Sequence, residues 1–90
     1  MEIEIIEFKA NHDTAREKLL GHVKVLLGGK MFVWMNVLMG KKPFCKFPSF
    51  RTEGQYFACV GWPQNEKLER EISDKITPEL CNKYLTDPRF

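Results

Sequence analysis

Two runs of β-prone residues, 19–27 and 31–39, flank Gly28-Gly29, and this arrangement limits the possible folds more than any other feature of the chain. A diglycine supplies the positive φ angles of a tight hairpin at no steric cost, so the two runs are expected to pair antiparallel. Side chains alternate across a strand. In the first run Val23, Val25 and Leu27 therefore share one face, and His22, Lys24 and Leu26 the other. In the second, Met31, Val33, Met35, Val37 and Met39 oppose Phe32, Trp34, Asn36 and Leu38. Both faces of the second run are largely apolar, which predicts a helix on one face and a partner subunit or bound ligand on the other.

The rest of the chain reads around this hairpin. Glu2 to Phe8 alternates charged and apolar residues for most of its length, as a strand with one buried face does. A polar turn follows at Asn11 to Thr14. After the hairpin, Gly40-Lys41-Lys42-Pro43 forms a turn, and Phe44 to Phe47 a short strand stopped by Pro48. Thr52-Glu53-Gly54 makes another turn, 55–60 another strand, and Gly61-Trp62-Pro63 breaks the pattern. From Gln64 the period becomes helical: Leu68, Ile72 and Ile76 are four apart, with Asn65 placed as N-cap and Glu66 in the first turn. Thr77-Pro78-Glu79 predicts the start of a second short helix, with Leu80, Cys81, Tyr84 and Leu85 as its apolar stripe, and 87–90 a frayed tail. The expected fold is α+β: a single domain over residues 1–90, with a small antiparallel sheet of about five strands followed by one or two C-terminal helices.

A chain of 90 residues, 43% hydrophobic and 29% charged, folds as an ordinary globular domain but has little interior for a closed cavity beside its core. A binding surface is expected in preference to a deep pocket. The longest apolar run, Met31 to Met39, is far short of the ~20 residues that span a bilayer. Met1 leads into Glu2 and Glu4, with no basic and apolar leader, so a cytoplasmic location is expected. Three widely spaced cysteines, Cys45, Cys59 and Cys81, are expected to be free thiols. Cys45 and Cys59 fall in predicted strands, where a buried cysteine acts as a small apolar residue and not as a nucleophile. No Cys or His pair has the spacing of a zinc site, and Gly28-Gly29-Lys30 lacks the rest of a phosphate loop. Neither catalysis, metal nor cofactor is predicted.

Charge is distributed unevenly. Residues 16–52 hold Arg16, Lys18, Lys24, Lys30, Lys41, Lys42, Lys46 and Arg51 against the single acid Glu17, although the whole chain has a formal charge of only +2. Such a stretch attracts polyanions even from a nearly neutral molecule. Within it, Lys41, Lys42, Lys46 and Arg51 are interleaved with Phe44, Phe47, Phe50, Tyr56 and Phe57. Cations hold phosphates while exposed rings stack on bases, so DNA or RNA is the expected partner. By alternation Phe44 and Phe47 are assigned to core or dimer packing, and Phe50, in a predicted loop between Ser49 and Arg51, is the ring expected to be exposed.

The order of motifs over 19–76 resembles the stage V sporulation protein G family of small bacterial nucleic-acid-binding regulators. The similarity covers the hairpin from Leu20-Gly21-His22-Val23 to Phe32-Val33-Trp34, the strand ending in Leu38-Met39-Gly40-Lys41-Lys42, and Phe44-Cys45-Lys46-Phe47-Pro48-Ser49-Phe50-Arg51-Thr52. Gly54-Gln55-Tyr56, Trp62-Pro63 and the following helix complete it. Phe50 stands where the family has one of two paired basic residues, and Ala58-Cys59 where it tends to have an aspartate. The resemblance implies a homodimer built through sheet edges or packed faces that binds DNA or RNA with its basic loop, and Ser49, Arg51 and Thr52 match the family's motif there. The expected contacts are Lys41, Lys42, Lys46, Ser49, Phe50, Arg51 and Thr52. The competing expectation is a protein-interaction module that uses an exposed apolar sheet face and has no nucleic-acid role.

Overall fold

The computed structural model describes residues 1–12, 18–59 and 65–85. Its elements are β1 (Ile3–Ala10), β2 (Leu19–Leu27), β3 (Met31–Met39), β4 (Pro43–Lys46), β5 (Ser49–Thr52), β6 (Gln55–Ala58) and α1 (Asn65–Lys83). The first four strands form an antiparallel sheet in the order β1-β2-β3-β4, and β5 and β6 form a separate two-stranded sheet. The fold is thus α+β, as expected. Part of the Asn11–Thr14 turn, Arg16, Val60, the Gly61-Trp62-Pro63 break and the 87–90 tail lie outside the described residues.

The central hairpin forms as its glycines dictate. Gly28 and Gly29 have φ of 58° and 67°, Lys30 N donates to Leu27 O at 3.0 Å, and Leu27 stands opposite Met31. In β1 the alternation breaks at Ile5-Ile6, and there the register slips: Ile5 pairs with Val25 and Glu7 with Lys24, leaving Ile6 as a bulge. The bulge returns Phe8 to the inner face. Its ring crosses Gly21, where a Cβ would come within 2.7 Å of it, and reaches Tyr84 at a centroid distance of 5.8 Å.

One face of the sheet is packed against the helix. Val23, Val25, Leu27, Val33, Met35, Val37, Cys45 and Phe47 meet Ile72, Ile76 and Leu80, all buried. α1 also finishes the sheet edge. Cys45 N donates to Ser73 Oγ and Phe47 N to Glu69 Oε2, each at 2.9 Å, so helix side chains take the outward N–H groups that a fifth strand would have taken.

Three expectations are corrected. Residues 65–83 form one helix, not two, with Pro78 inside it. The stripe Ile72, Ile76, Leu80 continues at the four-residue interval across Thr77-Pro78, and its burial outweighs the backbone bond that the proline removes. Cys81, one position beyond that stripe, is therefore exposed, as is Cys59, which follows β6. Finally, the segment containing Phe50 is a strand and not a loop. Pro48 accepts from Cys59 N at 3.0 Å and begins a self-paired hairpin, in which Ser49 pairs with Ala58 and Thr52 with Gln55. Its turn residues Glu53 and Gly54 have φ of 51° and 77°. Among the described residues, no element approaches this hairpin within 8 Å between Cα atoms.

Candidate nucleic-acid interface

One helix covers one face, no described element packs on the other face of the four-stranded sheet, and strand register determines what stands on that open face. Lys9 pairs with His22, His22 with Asn36, and Asn36 with Lys46, so four polar side chains cross the sheet in one row. At adjacent-strand spacing this row is roughly 14 Å long. The next row along holds Glu7, Lys24 and Trp34, and the one beyond it Glu4, Leu26 and Phe32, so the face carries two acids beside Lys9, Lys24 and Lys46. Phe32 is 56% exposed and Trp34 37%, unusual values for large rings in the middle of a sheet.

Cations and rings are in contact on this face. Lys24 Nζ lies 4.4 Å from the Phe32 centroid and 6.0 Å from that of Trp34, and Lys9 Nζ lies 5.5 Å from Trp34. His22 Nδ1 donates to Asn36 Oδ1 at 3.0 Å, which leaves the Asn36 amide N–H groups pointing away from that bond. Among the described residues the ion pairs are Lys9 with Glu7 at 4.0 Å and Lys83 with Glu79 at 3.0 Å. None of Lys24, Lys41, Lys42, Lys46 and Arg51 has a carboxylate partner there.

The residues expected from the sequence fall into three places. Lys46 is on the open face. Lys41 and Lys42 are exposed in the β3–β4 turn, where Lys42 borders a cleft of ≈ 490 Å³ that runs past Phe44 to Asp74 and Pro78 of α1. Ser49, Phe50, Arg51 and Thr52 form β5, with the Arg51 guanidinium 5.8 Å from the ring of its cross-strand partner Tyr56. Phe44 and Phe47 do not share a role. Three residues apart, they leave the strand on opposite sides: Phe47 is core and Phe44 is 36% exposed, with its ring over Gly40.

Lys9, Lys24, Phe32 and Trp34 were not among the expected contacts. The signal for them was present, because once the turn sets Leu27 opposite Met31, Lys24 must lie beside Trp34 and His22 beside Asn36.

Cys45 is buried. Burial pushes its pKa up to about 11, only partly offset by hydrogen bonds with Thr77 and Ser73, so it stays a neutral packing group. Among the described residues no three His, Cys, Asp or Glu side chains converge on a metal position, and no helix is long and apolar enough to cross a membrane. Comparison with models of protein families, with curated proteins and with solved structures finds no match in any of the three.

Proposed function

We propose that this chain is a non-catalytic nucleic-acid-binding protein that works as a homodimer, as its resemblance to the stage V sporulation protein G family implies. The observation that carries this reading is the set of exposed cations that have no carboxylate partner among the described residues: Lys41 and Lys42 in a turn, Lys46 on the open sheet face and Arg51 on the second hairpin. Exposed cations of this kind are available to neutralise phosphates, and each one engaged releases counterions. Ser73 and Glu69 already occupy the outer edge of β4. Of the two edges of the four-stranded sheet, that leaves β1 for a homodimer joined edge to edge, which keeps the open face clear.

Fluorescence anisotropy of labelled DNA and RNA tests the reading. Binding should weaken steeply with salt, and replacing Lys41 and Lys42 together by alanine should flatten the log–log salt slope by up to about two units. Absence of binding to any DNA or RNA at low salt rejects it. A second reading, protein docking on the same surface, is favoured by the exposure of Phe32 and Trp34. Recovery of a protein partner that survives nuclease and high salt would support that one.

A further inference from the structure

We infer that the open face of the four-stranded sheet is a platform for unpaired nucleic acid, on which bases stack against Phe32 and Trp34 while Lys24 and Lys46, joined by Lys9 as it exchanges its 4.0 Å pair with Glu7 for a phosphate, hold the backbone. This rests on the nucleic-acid reading above and narrows it to one strand state and one surface.

Shape is the first reason. The row from Lys9 to Lys46 spans four strands, whereas a major groove about 12 Å wide admits a helix or a two-stranded ribbon. The open face carries no such projection. An unpaired strand, in contrast, lies across an open sheet and offers the ring faces that a duplex keeps stacked inside itself.

The side chains fit the same occupant. Phe32 and Trp34 are two residues apart on one strand, hence about 7 Å apart along it, roughly twice the rise between stacked bases. Bases spread to that interval can each meet a ring. Lys24 stands by both rings, so a phosphate drawn to its ammonium arrives where the flanking bases reach them. At the other end of the face Lys46 and Lys9 bracket Asn36, whose amide N–H groups can donate to a base edge. A second copy of this chain is a poorer occupant, because three lysines against Glu4 and Glu7 leave the face with a positive excess that two stacked copies would double and a polyanion would neutralise.

The Trp62→Phe variant makes Trp34 the sole tryptophan, since the chain has two. An oligothymidylate or oligouridylate of about 12 nucleotides should quench its fluorescence in step with the anisotropy change, and should outcompete a duplex of equal length by about tenfold or more. Phe32→Ala should weaken single-strand binding roughly 5- to 150-fold without lowering the melting temperature, and Phe32→Tyr should retain it. Duplex binding as tight as single-strand binding, or binding without Trp34 quenching, overturns this inference and leaves the general reading standing. Failure to bind any nucleic acid removes both. A concentration-dependent change in Trp34 emission without oligonucleotide also overturns the inference, because it gives the face to a second copy.

Discussion

The two faces of the same four strands are built from alternate residues of the same segments, yet they follow different rules. On the helix side Val23, Val25, Met35 and Val37 are fully buried, and every backbone donor at the β4 edge that faces α1 finds a helix oxygen. On the open side, the neighbours of those residues in sequence are Lys24, Trp34 and Asn36, with Lys46 beside them. Nothing in the fold requires a tryptophan and two phenylalanines to remain in solvent. Burial explains the first face completely. The second is explained by what it is left free to contact.

The largest effect that would sharpen this contrast is expected from Met35→Ala, which empties the centre of the covered face. It should cost about 2–5 kcal/mol in chemical denaturation, and a cost near zero would mean that the helix does not pack there.

Alkaline pH should act on the same face through Cys45. Its folded-state pKa of about 11 lies above the ordinary 9.0, so between these values the unfolded chain has released a proton that the folded chain retains. Stability should therefore be unaffected by this group below pH 9 and fall by roughly 2–3 kcal/mol as pH rises to about 11. Comparing the wild type with Cys45→Ala over that range isolates the effect. In the native state a thiol reagent should modify Cys59 and Cys81 quickly and Cys45 slowly.

Ser73→Ala removes the acceptor for the buried Cys45 N–H and should cost about 1–3 kcal/mol in a thermal or urea melt. The smallest stability effect belongs to the open face. Replacing Lys9, Lys24 and Lys46 together by alanine should change stability by no more than about 0.5 kcal/mol per site. It should still flatten the salt dependence of nucleic-acid binding by up to about three units. A large loss of stability in this triple variant would break the contrast between the faces.

Much of the fold was legible because periodicity reports burial directly. The diglycine located the hairpin, the period of two sorted Val33, Met35 and Val37 from Phe32 and Trp34, and the interval of four found Ile72 and Ile76. Local signals misled where tertiary packing overrode them. Pro78 reads as a helix start, but the apolar stripe running through Leu80 keeps one helix continuous. Pro48 reads as the end of a strand, and it also begins a hairpin that pairs with itself. The candidate site was legible only in part. Lys46 was found through its neighbours in sequence, whereas Lys9 joins it across three strand pairings and 37 positions along the chain, a relation that only the register reveals.

The most direct measurement is a two-dimensional amide and indole NMR titration of the protein with a short single-stranded oligonucleotide. The account predicts that the largest shifts fall on Lys9, Lys24, Phe32, Lys46 and the Trp34 indole, with the helix-side signals of Val25 and Ile72 nearly still. Shifts confined to the β5–β6 hairpin or to α1, with the open sheet face unmoved, would contradict it.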